Sequence, residues 1–249
     1  MNTSVVRFLG ASAVLLLGLS ACSGPANTAD AGAASETSAA TATPSPTPTE
    51  AAFTMLTAGE LAEIAGAVKD SESVALSVMP AEKVSQALDQ MISLMTEVQV
   101  EPAECNTIAT GTALKPDSNT TMAVGASTSS TAELTQTLSL LSGVEKDKLD
   151  QSLAQRGNDI EACGNISMNI GGMSMTAATT RLDSGAGTPG AVAMQTDVTL
   201  PTGATQSTVM TFAVKGGVLI SAQASGTGVT SSDLASAEAL LDQAAALID

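Results

Sequence analysis

Asn165-Ile166-Ser167-Met168-Asn169-Ile170-Gly171-Gly172-Met173-Ser174-Met175-Thr176-Ala177 is the stretch on which the fold turns. Ile166, Met168 and Ile170 alternate with polar residues up to the glycine pair, and Met173, Met175 and Ala177 alternate away from it. A period of two marks a strand with one buried face, and Gly-Gly between two such runs marks a two-residue hairpin, because both turn positions take positive φ. In that register Ile170 faces Met173, Met168 faces Met175 and Ile166 faces Ala177, so all six share one side of a sheet. Thioethers at Met168, Met173 and Met175 are able to ligate Cu(I). Their place on the apolar face favours core packing, where Met is an adaptable filler in a chain with 3 Phe and no Trp or Tyr.

Downstream, Val192, Met194, Thr196, Val198 and Leu200 alternate into a turn at Pro201, Thr202 and Gly203, and Met210, Phe212 and Val214 alternate again. Lys215, Gly216 and Gly217 suit a three-residue hairpin loop with Gly217 left-handed, returning through Val218, Ile220, Ala222 and Ala224. A closing helix from about Ser231 aligns Leu234, Ala237, Leu241, Ala244 and Ile248.

Upstream, Thr57 and Glu60 make a capping box with Leu56 and Leu61 at staple positions, starting a helix whose inner face is Leu61, Ile64, Ala65 and Val68. Pro80 fits the first position of a second helix bearing Val84, Leu88, Met91 and Met95. Val74 to Val78 is short and extended, and Val98 and Val100 lead into a bend at Pro102 to Cys105. Met122 to Ala126 and Leu134 to Leu141 read as strands. Ser142 and Glu145 form another capping box before a helix with Leu149, Leu153 and Ile160 inward, which Gly157 and Asn158 end or bend. Strands in series closed by a helix predict an α+β domain: a largely antiparallel sheet of hairpins packed against helices on one side. Roughly 190 residues from Phe53 onward suffice for one buried core, so residues 53–249 are expected to form a single domain.

The segment before it has a different character. Phe8 to Leu19 is apolar but too short to span a bilayer, which takes about 20 residues. It ends in Leu19, Ser20, Ala21 and Cys22, which resembles the lipobox of bacterial lipoproteins. Residues 1–21 are thus expected to be a cleaved signal peptide, with Cys22 acylated as the first mature residue; an ordinary secretory signal with an incidental cysteine is the plainer alternative. Residues 22–52 are rich in Ala, Thr, Ser and Pro and have almost nothing to bury, so they predict a disordered tether with a reach on the order of 30 Å.

Charge and missing residue types narrow the function. The formal net charge is −16; residues 1–21 hold one base, Arg7, and no acid, so the chain from Cys22 carries −17. Such a surface repels nucleic acid and anionic headgroups, and a strongly charged partner is expected to be cationic. With His absent, a Ser or Cys nucleophile lacks its usual base. The glycines at 171, 172, 185, 187 and 190 lie between strands rather than in a phosphate-binding loop. Carboxylate-only catalysis would need Asp159, Glu161, Asp183 and Asp197 to meet. Arg156 and Arg181, the arginines beyond residue 21, suit either surface ion pairs or a bidentate contact to an anionic ligand. No enzyme activity, cofactor or metal is expected.

Three cysteines fit an exported protein: Cys22 for the lipid, leaving Cys105 and Cys163 as a disulfide pair across a loop of about 60 residues. Two distant cysteines without His make a poor zinc site.

Two leading helices, then Val98-Gln99-Val100-Glu101-Pro102-Ala103-Glu104-Cys105, a cysteine after a helix at Cys163, a run of hairpins and a last helix resemble the extracellular sensor domains of actinobacterial PknH-type kinases and their free lipoprotein relatives. The resemblance spans roughly Leu56 to Asp249. It implies binding of an envelope ligand in a cleft, by a domain that usually carries more than one disulfide, whereas this chain has one available pair. Its expected role is a non-catalytic lipoprotein held on the outer face of the cell membrane by its lipid, monomeric, and binding an envelope component or protein partner. The alternative is a lipid carrier resembling the actinobacterial lipoproteins that hold acyl chains between sheet and helices.

Overall fold

The computed structural model describes residues 55–95, 98–106, 119–129 and 134–248. The expected signal peptide over 1–21, Cys22, the tether over 22–52 and the domain start at Phe53 lie outside them. Nine strands form one antiparallel sheet: β1 (Ser77–Val78), β2 (Gln99–Glu101), β3 (Thr121–Thr128), β4 (Thr135–Ser142), β5 (Asn165–Ile170), β6 (Met173–Leu182), β7 (Val192–Thr199), β8 (Thr205–Lys215) and β9 (Val218–Gly226). Among the described residues four α-helices accompany it: α1 (Ala58–Ala67), α2 (Ala81–Met95), α3 (Lys146–Cys163) and α4 (Leu234–Ala246). Across the sheet the order is β1-β3-β4-β9-β8-β7-β6-β5-β2. The α+β class with a single disulfide is what the alternating strands predicted.

The Gly171–Gly172 hairpin has the expected register, with Ile170 opposite Met173, Met168 opposite Met175 and Ile166 opposite Ala177. Both glycines have positive φ, 57° and 82°. The thioethers do not share one burial: Met168 is 4 % exposed whereas Met173 is 58 % exposed, because the hairpin tip runs past the layer that covers its base. The next hairpin is tighter than expected. Lys215 pairs directly with Val218, so Gly216 and Gly217 alone make the turn, both at positive φ, instead of a three-residue loop.

Alternation along the central strands supplies two apolar faces. Val218, Ile220 and Ala222 of β9, Leu138 and Leu140 of β4 and Ala213 of β8 point to one side. There they meet Ala237, Leu240, Leu241 and Ala244 of α4 and Leu61 and Ala65 of α1. Leu219, Met210, Phe212 and Met194 point to the other side and meet Leu149, Leu153 and Ile160 of α3. The sheet is therefore covered on both sides rather than on one. The reason lies in β8 and β9, where residues 209–213 and 218–220 are buried without a break, so neither face of these stretches is left for solvent.

Local signals were read with mixed success. The Thr57–Glu60 capping box forms in both directions. Helix α2 begins just after Pro80, whose carbonyl accepts from the Lys83 and Val84 amides. The Ser142–Glu145 box does not form: Ser142 ends β4, paired with Thr121, and its Oγ accepts from the Leu56 amide at 3.0 Å. Glu145 is the N-cap of α3 without a side-chain cap. Nor do Gly157 and Asn158 break that helix, which is held on the sheet on either side of them by Leu153 and Ile160.

The Cys105–Cys163 disulfide spans 5.7 Å between Cα atoms and joins the bend after β2 to the end of α3. It fastens the β2–β5 edge of the sheet, not its centre. Val98, Val100, Met168 and Ala177 pack around it. At the other end of β6, the loop to β7 is clamped on α4: Glu238 accepts from Ser184 Oγ and the Gly185 amide, and Asp242 from the amides of Gly187 and Thr188 and from Thr188 Oγ1.

Candidate functional site: an open polar sheet face and a buried arginine

The two layers do not reach every strand. On the side covered by α4, the paired rows continue past β8 as Asp197–Ala178–Asn165 and Thr199–Thr176–Ser167–Glu101. Each is the outward half of the alternation whose inward half is Met194, Val198, Ala177, Ile166 and Met168. The residues of the two rows line an open hollow of about 730 Å³ together with Pro102, Ile166 and Ala177. Its lining mixes hydroxyl, amide and carboxylate groups with the apolar Pro102, Ile166, Ala177 and Ala178, and has no basic side chain. Gln195 Nε2 donates to both Asp197 carboxylate oxygens, at 3.0 and 3.2 Å, and so restrains that group beside its own strand.

The opposite side carries a different feature. Along α3 the inward positions are Leu149, Ser152, Leu153, Arg156 and Ile160, so a guanidinium is placed against the sheet between apolar neighbours. Arg156 is 7 % exposed, and its Cζ lies 4.0 Å from the centre of the Phe212 ring. Its Nε has no hydrogen-bond partner, and neither has Ser152 Oγ one turn before. Burial pulls the guanidinium pKa from its ordinary value down to about 10, against the opposing pull of the Asp159 carboxylate. The group stays charged at neutral pH, and the shift amounts to a cost on the order of 3 kcal/mol in the folded chain. Arg156 is thus neither at the surface nor in an ion pair; Arg181 is exposed on β6.

The carboxylates considered for catalysis do not assemble. Asp197 faces the hollow, whereas Asp159 and Glu161 belong to α3 on the far side of the sheet, and Asp183 is exposed in the loop after β6. No group of three His, Cys, Asp or Glu side chains able to hold a metal ion occurs among the described residues. No described helix is long and apolar enough to cross a membrane. Between α4 and the sheet, Leu138, Leu140, Ile220, Ala222, Leu240 and Leu241 are 0 % exposed. These side chains pack directly against one another across the layer.

The hollow went unread in the sequence, although its signal is present: Asn165, Ser167, Asn169, Ser174 and Thr176 are the polar half of the hairpin alternation. A polar half is what any solvated sheet face shows, and only the limited extent of α4 makes it a recess. Arg156 was legible as an inward position, since it is spaced at helical intervals from Ser152 and Ile160.

No family model and no curated protein matches this chain. Among solved structures the chain is similar to the extracellular domain of PknH from Mycobacterium tuberculosis, with 12 % identity over 68 % of this chain and 98 % of that one, at a TM-score of 0.43.

Proposed function

We propose that this chain is a non-catalytic envelope lipoprotein, anchored through Cys22, whose domain binds a polar envelope component on the open half of its sheet. The observation that carries this reading is the hollow itself. Helices cover the sheet over β4, β9 and β8, yet on the α4 side none of the described residues covers the patch over β7, β6, β5 and β2. Asp197 and Glu101, together with hydroxyls and amides, suit a neutral or cationic ligand such as a glycan or a basic peptide. An acidic chain concentrates the same class of partner around it.

Amide resonances supply the test. Titration with neutral envelope glycans or a short basic peptide is expected to move the signals of Asn165, Ser167, Thr176 and Asp197 saturably. Thr176→Arg, at an exposed position, should weaken binding at least tenfold without lowering the melting temperature. Shifts confined to other parts of the domain, or binding indifferent to Thr176→Arg, would remove the hollow from the proposal.

Anchoring has its own measurement. Acylation needs the Cys22 thiol, so Cys22→Ala is expected to abolish fatty-acid labelling and to leave the chain uncleaved or shed. A Cys22→Ala chain that labels and fractionates with membranes as the parent does would overturn the lipid anchor.

A further inference from the structure

We infer that Arg156 and Ser152 form a binding site for a single carboxylate group between α3 and the sheet, separate from the open hollow and independent of what binds there. Both side chains lie on the inward face of α3 one turn apart, 7 % and 1 % exposed, and Arg156 Nε and Ser152 Oγ both lack a hydrogen-bond partner. Buried polar groups in folded proteins are almost always paired, and buried charges more so. Two orphaned donors on one helical face therefore point to an acceptor that enters between them.

The neighbouring groups narrow what that acceptor is. Asp159, on the following turn, is engaged by Gln155 Nε2 at 3.1 Å and makes no ion pair with Arg156. Water would satisfy the hydrogen bonds but leave the charge only partly compensated, since Asp159 offsets less than burial costs, whereas an anion does both. The site has one cation, and the Asp159 carboxylate already acts on it. A monoanion is neutralised there, while a phosphate dianion would bring a second, unbalanced negative charge into a low-dielectric layer. Stacking on Phe212 fixes the plane of the guanidinium, and its planar fork matches the two oxygens of a carboxylate. The Ser152 hydroxyl supplies a further donor.

Acetate serves as the probe, with the full chain in mild detergent. At equal ionic strength, about 100 mM acetate is expected to raise the melting temperature by about 3 °C over chloride. Arg156→Met, which replaces a buried charge by an apolar side chain of similar length, is expected to melt higher than the parent in chloride and to ignore acetate. A second readout needs no variant. The chain from Cys22 has two arginines, Arg156 and Arg181, so its guanidinium Nε spectrum contains two signals, of which acetate should move Arg156 alone. Identical melting in acetate and chloride, an acetate response retained in Arg156→Met, or an unmoved Arg156 signal would each overturn the site. A larger effect from phosphate than from acetate would overturn the assignment to a carboxylate.

Discussion

Reducing the Cys105–Cys163 bond is expected to lower the unfolding free energy by about 4 kcal/mol, the chain-entropy value for a loop of this length. The two cysteines are 58 residues apart, and the loop between them contains β3 and β4 from one half of the sheet and all of α3. Opening it frees that whole segment in the unfolded chain. In the folded chain it releases the bend after β2, which has few other holds: β2 pairs with β5 alone, over Gln99 to Glu101. Urea melts with and without a phosphine reductant measure the effect, and a Cys105→Ala/Cys163→Ala chain should match the reduced parent. Coincident melts, together with two titratable thiols in the unreduced unfolded chain, would show that the bond is not made.

The second large effect is expected at Phe212. It is 2 % exposed, packed with Met194 and Met210 beneath α3, and it provides the ring under Arg156. Phe212→Ala removes the apolar volume and leaves a cavity, which in well-packed cores costs about 3–5 kcal/mol. It also takes away the guanidinium's one aromatic partner. Phe212→Leu fills most of the space but offers no π face, and is expected to cost about 1–2 kcal/mol. The difference between the two variants, measured by denaturant unfolding, separates volume from ring. A loss below about 1 kcal/mol in Phe212→Ala would mean that α3 closes onto the sheet without it.

Arg156 and Ser142 show where sequence reading stops. Hairpin register was legible because Gly171 and Gly172 admit one tight turn and a slip by one residue would invert every apolar side chain. Ser142 carried a correct local pattern for a helix cap, but pairing with Thr121 and the Leu56 amide claimed it first, and those partners are 21 and 86 positions away in sequence. Arg156 was visible as a residue and its helical phase was readable, yet charge alone argues for the surface. Its burial depends on Phe212, which arrives on a strand formed 56 residues later. The second covered face was missed for a related reason: helix α3 is polar on most sides, so its role as a layer rests on Leu149, Leu153 and Ile160 finding the far side of β8 and β9.

One cluster joins the two ends of the described chain. Leu61, Ala65 and Val68 from α1 share a core with Leu240, Leu241, Ala244 and Ile248 from the closing helix. Contacts with such a separation form late. Helix α1 meets its nearer partners first, Ala123 of β3 and Leu138 and Leu140 of β4, and the cluster closes only when the last helix reaches it. Until that helix docks, one side of the cluster is without its cover, and the core is complete only once α4 has closed over it.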